Sequence, residues 1–364
     1  MPADPHDRSG LVVALQANYC WVELETPCAE SGQGQRLLCT RRSRLAKSGQ
    51  SICVGDRVWL EGIDWPSGRA AISAVAPRTS LVSRPAVANV SLVVVVVAVA
   101  EPALDPIQLT RFLITAETTG QPVLLVFSKV DLLPEAAVQQ WCNRAAAWGY
   151  EALAVSCRDG RGLDALKQRL SQPGLAVVSG PSGVGKSSLL NGLRPDLQLQ
   201  VAAVSGRLRR GRHTTRHVEL FALAPGALVA DTPGFNRPAL PADPAQLAAL
   251  FPEVRQHLAR AGCQFRDCLH QGEPGCAVGS DWERYAWYSL CLQDLREQQE
   301  RLPREGQQRG ELQGLRQRGD RLEPRLAPQL RQLSRRRRRQ QRPLLEDGGD
   351  EAAAAGLSPP DPAG

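Results

Sequence analysis

The stretch at residues 175–190, LAVVSGPSGVGKSSLL, constrains this chain more than any other. An apolar run at 175–178 reads as a buried strand. It enters a glycine-rich turn, and an apolar, helix-compatible run follows at once. The turn has the pattern G-x-x-x-x-G-K-S, in the strand–loop–helix context that a phosphate-binding loop requires. The candidate phosphate contacts are Gly180, Pro181, Ser182, Gly183, Val184, Gly185, Lys186, Ser187 and Ser188. Gly180, Gly183 and Gly185 let backbone N–H groups close around phosphate oxygens, and the helix N-terminus adds partial positive charge. Lys186 is placed to reach the β- and γ-phosphates, and the Ser187 hydroxyl to ligate Mg²⁺. The alternative is a glycine-rich turn before an ordinary helix. It does not account for the full motif in this context.

At 364 residues, two or three domains are expected, each with its own core. Formal net charge is +7, carried by forty arginines and only four lysines. Two of those lysines, Lys129 and Lys186, fall in candidate nucleotide motifs, where an ammonium and a guanidinium are not interchangeable. The N-terminal MPADPHDRSG is polar and unlike a signal peptide, and the longest apolar run, residues 92–100, is far short of the ~20 residues of a membrane span. A cytoplasmic protein is therefore expected. In a reducing compartment the ten cysteines point to metal rather than to disulfides.

Four folded or unfolded regions follow a short N-terminal one. Residues 1–10 read as disordered. Residues 11–78 carry five short strand-like runs separated by polar and glycine turns, which suits a small β-barrel with the OB-fold as leading candidate. Arg36, Arg41, Arg42, Arg44 and Lys47 cluster on one hairpin. OB-fold faces commonly bind nucleic acid, so this cluster is a candidate RNA contact; the alternative is a solvated hairpin on an SH3-like barrel. Residues 79–240 alternate continuous Val/Leu/Ala strands with helical stretches at 106–118, 134–148 and 163–170. That pattern predicts an α/β domain with a mostly parallel, doubly covered sheet. Residues 241–302 form a small zinc-binding, mostly helical domain, and 303–364 a disordered tail, Arg-rich and then acidic.

In such sheets ligands bind beyond the carboxyl ends of the strands. Ser128-Lys129-Val130-Asp131 follows one predicted strand, Ser156-Cys157 another, the phosphate loop a third, and Asp231-Thr232-Pro233-Gly234 a fourth. Gly211-Arg212-His213-Thr214-Thr215 lies between the phosphate loop and the last of these. The set resembles a translation-factor-type GTPase domain. The resemblance makes Asp231 a Mg²⁺ holder and Gly234 a γ-phosphate contact. Asp131 reads guanine, the stem of Lys129 covers the base, and Ser156 and Cys157 supply the last base-contacting element. Thr214 or Thr215 completes the Mg²⁺ shell. The base-reading elements precede the phosphate elements, a circular permutation of the usual order. It leaves Asp231 and Gly234 at the domain's exit, so nucleotide state is expected to pass to the next domain through residues 235–241.

Cys263, Cys268, His270 and Cys276 supply three thiolates and an imidazole within 14 residues, a complete tetrahedral set for one structural zinc, with no position left open for catalysis. Barrel, permuted GTPase and Cys/His knuckle together resemble the ribosome small-subunit-dependent GTPase A (RsgA/YjeQ) family, over residues 11–300. The resemblance implies a GTPase that converts GTP and water to GDP and phosphate, assists late maturation of the small (30S) ribosomal subunit, binds 16S rRNA and is stimulated by that subunit. It also implies a monomer without a membrane partner. Ser128 departs from the family's N-K-x-D motif, where Asn is usual; a Ser side chain is shorter and donates one bond. Phe235 stands where Ras-like GTPases carry the Gln that orients the attacking water. Intrinsic hydrolysis is therefore expected to be slow, with His213 the candidate to orient that water. Two other readings stand beside this one: an RNA-binding protein whose nucleotide site only binds, and a permuted GTPase of large-subunit assembly. In the tail, Pro324 to Arg342 carries eight arginines and no acid, which reads as an rRNA-binding arm. Tyr285, Trp287, Tyr288 and Leu290, on a helix predicted at about 282–301, are expected in a core.

Overall fold

The computed structural model describes residues 8–16, 19–26, 36–42, 45, 51–83, 86–197, 218–231, 238–312, 315–318 and 321–324. Strands β1 (Arg8–Gln16), β2 (Tyr19–Leu24), β3 (Arg36–Arg41), β4 (Arg57–Asp64) and β5 (Arg69–Val75) close into a barrel. The order around it is β1-β2-β3-β5-β4 and back to β1, antiparallel except for the parallel β3–β5 pair. This is the closed five-stranded barrel expected of an OB-fold. Alternation drives it: on β2, Cys20, Val22 and Leu24 point into the barrel while Tyr19, Trp21 and Glu23 point out. Cys20 faces Cys39 across β2–β3. Burial raises the Cys20 thiol and pushes Cys39 up to about 12, so both act as neutral packing groups. A bulge between Val12 and Ala14 breaks the alternation on β1. Val12 fills the barrel while the adjacent Val13 turns into the core of the next domain.

Two short strands, β6 (Leu81–Ser83) and β7 (Ala86–Ala88), lead into the α/β domain. Its strands are β8 (Leu92–Ala98), β9 (Val123–Ser128), β10 (Glu151–Val155), β11 (Gly174–Ser179), β12 (Glu219–Ala224) and β13 (Ala227–Asp231). They lie in the order β10-β9-β8-β11-β13-β12, parallel except for β12. Every residue of β8 is buried, because helices cover both faces of the sheet. Helices α1 (Pro106–Glu117) and α2 (Glu135–Ala147) pack on one face, α3 (Leu163–Leu170) and α4 (Lys186–Leu193) on the other. The path shows the permutation. The chain builds β8, β9 and β10 out to one edge, returns to the centre at β11, and then lays down the other side. The strand feeding the phosphate loop is thus central in space and fourth in sequence. At its far edge β12 pairs with β1 at Ala14–Glu219, which joins sheet and barrel.

Helices α5 (Pro244–Leu247), α6 (Pro252–Arg260) and α7 (Tyr285–Leu312) follow. Leu247, Phe251, Val254, Tyr288 and Leu292 form a separate core that also takes in Ile114 of α1. Tyr288 is buried as expected, and Tyr285 and Trp287 are partly buried, but Leu290 is exposed. Two residues beyond Tyr288, it lies off the stripe formed by Tyr288, Cys291, Leu292 and Leu295. The chain divides into two compact units, Met1–Gln298 and Gln299–Gly364. In the second, helical backbone continues through Pro303 to Leu312, where the sequence predicted an end near 301. Strands β14 (Leu315–Arg318) and β15 (Arg321–Pro324) then form a hairpin. The arginine run at 335–339 lies outside the described residues. No helix among the described residues is long and apolar enough to cross a membrane.

Candidate active site and metal centre

The phosphate loop leaves β11 after the buried Ser179. Gly180 has φ +139°, and a Cβ there would meet the Val96 carbonyl oxygen at 2.0 Å, so only glycine fits. Gly183 and Gly185 are also left-handed, at +81° and +91°, and Gly185 caps α4. Val184 between them is buried in the core beneath α4 and anchors the loop. The Lys186 ammonium donates to the carbonyls of Gly180 (2.8 Å) and Pro181 (2.7 Å), which places it across the mouth of the loop. Ser187 and Ser188 fall in the first turn of α4, and Ser182 in the turn before it.

Ser128 ends β9 and is 4 % exposed, so its side chain is not left open at the rim of the loop. Its hydroxyl instead donates to the Val184 carbonyl at 2.6 Å, with the Val97 carbonyl next at 3.2 Å. The bond ties the end of β9 to the loop that follows β11. Lys129 takes a left-handed conformation, and its ammonium donates to the Glu101 carbonyl beyond β8. Val130 is buried, and Asp131 follows in a short 3₁₀ turn. One Asp131 carboxylate oxygen accepts a 2.8 Å bond from the fully buried Ser156 hydroxyl; the other lies 3.9 Å from the exposed Arg158 guanidinium. Ser156 also accepts the backbone N–H groups of Arg158 and Asp159. One hydroxyl therefore shapes its own turn and orients the carboxylate. Cys157 beside it is exposed. Glu101 escaped the sequence reading, since it belongs to no motif and reaches the site through loop geometry.

Asp231 ends β13 in register with Val178 of the phosphate-loop strand and with Glu219 of β12. The described motif positions thus gather at the carboxyl ends of neighbouring parallel strands. His213, Thr214, Thr215, Gly234 and Phe235 lie outside the described residues, as does the connection at 232–237. Of the basic hairpin, Arg36 pairs with Glu219 at 3.1 Å and Arg42 with Glu61 at 2.8 Å; Arg44 and Lys47 fall outside the described residues.

The ligand atoms of Cys263, Cys268, His270 and Cys276 all lie within 4.8 Å of one another. Bonds of about 2.3 Å to sulfur and about 2.0 Å to nitrogen, at tetrahedral angles, separate S from N by about 3.5 Å. His270 Nδ1 is 3.6, 3.5 and 3.4 Å from the Cys263, Cys268 and Cys276 sulfurs. The donor set therefore fits zinc with Nδ1 as ligand. The turn is braced by Glu273, whose carboxylate accepts N–H bonds from Leu269 (3.0 Å) and Gln271 (2.6 Å). Burial opposes ionisation of Glu273, but these bonds outweigh it and hold the carboxyl below its ordinary value. The Tyr288 hydroxyl donates to the Leu269 carbonyl at 2.6 Å and fastens the knuckle to α7.

The profile of a family described as RsgA GTPase matches residues 75–241. The small ribosomal subunit biogenesis GTPase RsgA of Synechococcus sp. is 60 % identical over 284 residues, spanning 78 % of this chain and 93 % of that protein. The protein of the same name from Parasynechococcus marenigrum is 57 % identical over 285 residues, 78 % and 95 % of the two chains. The crystal structure of YjeQ from Thermotoga maritima superposes with a TM-score of 0.66 at 30 % identity, covering 79 % of this chain and 98 % of that one. YloQ, described as a circularly permuted GTPase, gives 0.65 at 25 % identity, covering 82 % and 99 %. With its permuted sheet, its barrel and its Cys/His knuckle, and at this level of identity, the chain belongs to the RsgA GTPase family.

Proposed function

We propose that this chain hydrolyses GTP to GDP and phosphate and assists late maturation of the small (30S) ribosomal subunit, binding 16S rRNA and turning over faster on that subunit than alone. The observation that carries the reading is the pair of buried serine bonds, Ser128 to Val184 and Ser156 to Asp131. Together they fix a carboxylate relative to a phosphate loop, which is what a guanosine triphosphate needs at its two ends. Asp131 accepts the guanine N1–H and 2-amino protons, and adenine offers no such pair. The stem of Lys129 covers the base, and Ser156 and Cys157 close its edge. Residues 180–188 cradle the phosphates. Lys186 exchanges its carbonyl partners for phosphate oxygens, which are stronger, charge-assisted acceptors.

Mg²⁺ supplies charge neutralisation at the phosphates; Ser187, Asp231 and Thr214 or Thr215 are the residues to hold it, and Gly234 meets the γ-phosphate. Phe235 cannot orient water, so intrinsic turnover is slow, and His213 takes that role on the subunit. The zinc held by Cys263, Cys268, His270 and Cys276 is structural. A cytoplasmic monomer fits this role.

GTP turnover measured with isolated small subunits, large subunits and neither tests the reading. Stimulation by small subunits alone is expected; equal rates in all three overturn it. ATP competing as well as GTP for binding would overturn the guanine assignment. His213→Ala is expected to lose the stimulated rate and keep the intrinsic one.

A further inference from the structure

A row of residues runs in register across the seam between barrel and α/β sheet. Leu38 of β3 pairs with Trp21 of β2, Trp21 with Ala14 of β1, Ala14 with Glu219 of β12. Directly opposed residues of antiparallel strands present their side chains on the same face. A methyl group at Ala14 therefore lies between an indole and a carboxylate, and the step in size leaves an open cleft of about 390 Å³ bounded by Leu15, Gln16, Trp21, Arg36 and Glu219. That volume is at the small end of ligand pockets, which run from roughly 300 to 1,000 Å³.

The lining is specific. The Arg36 guanidinium lies 5.3 Å from the Trp21 ring centroid and pairs with Glu219 at 3.1 Å. The Trp21 indole N–H points to the Gln16 side-chain oxygen at 3.4 Å. Two residues along the same outward face of β2, Tyr19 is 45 % exposed. The strand rise of about 3.4 Å per residue spaces the two aromatics roughly 7 Å apart along the strand, a distance successive unstacked bases can span. Strands 2 and 3 form the face on which OB-folds take oligonucleotides.

We infer that the cleft over Ala14 is a stacking site for a base of unpaired RNA. The base stacks on the Trp21–Arg36 pair, its neighbour meets Tyr19, and Glu219 competes with the RNA backbone for Arg36. Duplex RNA is excluded because its bases are already stacked and its edges do not reach a recessed indole. The site rests on the reading that the chain acts on an RNA-containing particle, and adds where an unpaired strand lies and which α/β-domain residue opposes it.

Binding of the full chain to a fluorescent oligoadenylate and to a duplex of the same length, followed by anisotropy, tests this. Tighter binding of the unpaired strand is expected. Trp21→Leu is expected to weaken it about 5- to 150-fold, the loss of one base–aromatic stack, and Trp21→Phe to retain most of it. Ala14→Leu fills the cleft without touching the platform and is expected to weaken binding as well; it decides the matter if Trp21→Leu does not fold. Glu219→Gln is expected to tighten binding severalfold, while Glu151→Gln, which loses the same charge beside Arg169 on the far edge of the sheet, leaves it unchanged.

Unpaired and duplex RNA binding equally, wild-type binding by Ala14→Leu, or equal effects of the two Glu→Gln changes would each overturn the assignment. Stimulation of wild-type GTP turnover by small subunits is measured in parallel. Its absence overturns the particle reading; its presence with RNA binding indifferent to Trp21 and Ala14 overturns this site alone.

Discussion

Ser128 shows how much one atom can carry. A buried hydroxyl at 2.6 Å from the Val184 carbonyl ties the end of β9 directly to the phosphate loop. Ser128→Ala leaves a buried carbonyl short of a donor, a cost of about 1–2 kcal/mol. If that loosens the loop, labelled GDP and GTP bind about 5- to 30-fold more weakly in fluorescence titration. Ser156→Ala acts differently. It frees the Asp131 carboxylate to rotate and is expected to erode preference for GTP over ATP more than affinity for phosphate, measured by competition with each nucleotide. The sequence made Ser128 legible as a departure from the motif. It did not reveal that the residue is buried, because burial depends on how β9 and the phosphate loop meet. Gly180 is the opposite case. Its place in the motif announced it, and the Val96 carbonyl 2.0 Å from any Cβ explains it.

Between elements, a buried ion pair within the C-terminal region packs against rings of the α/β domain. Arg284, ahead of α7, donates to Glu253 of α6 at 2.7 Å under the rings of Trp148, Tyr150 and Phe251, whose centroids lie 5.1, 5.3 and 4.8 Å away. Glu283 beside it accepts from Arg144 and from the Trp148 indole. Glu253→Gln leaves a buried guanidinium without its counter-charge and is expected to destabilise the chain by about 3–5 kcal/mol in urea unfolding. Glu253→Met with Arg284→Met together should cost much less than either alone, since no charge is then stranded. The knuckle is a second fastening. Removing its metal with a chelator is expected to lower the melting temperature and expose Tyr288, while nucleotide affinity stays close to normal, because the cores around β8 and β11 contain no metal ligand. The Cys/His cluster was evident from its spacing; the ion-pair cage was not, since its members come from residues 144 to 284.

Across the whole molecule, the permuted chain puts the barrel and the C-terminal helices on different parts of the same sheet. The helices pack on α1 and α2. The barrel meets β12, whose Glu219 is in register with Ala14 on one side and Asp231 on the other. With Asp231 holding Mg²⁺ as proposed, a change there on GTP binding has a two-strand path to the barrel. Amide exchange is expected to slow in β12 and around Ala14 with a GTP analogue relative to GDP, and to change less in the core around Tyr288. The sequence pointed to the other route, through residues 235–241 into the C-terminal domain; the same exchange experiment compares the two directly.

Local chemistry was written in the sequence. Glycines that must be left-handed, a lysine at a helix start, three cysteines and a histidine gathered within 14 residues and alternating or continuous apolar strands each depend on near neighbours, so their spacing specifies them. Their rotated order along the chain even revealed the permutation around the phosphate loop. Tertiary structure alone decided which groups meet across long separations. Ser128 reaches a carbonyl 56 residues away, Glu219 reaches an arginine 183 residues earlier, and Arg284 settles among rings from two domains. Those contacts depend on strand register and on which faces pack, and side-chain spacing along a single chain does not encode either.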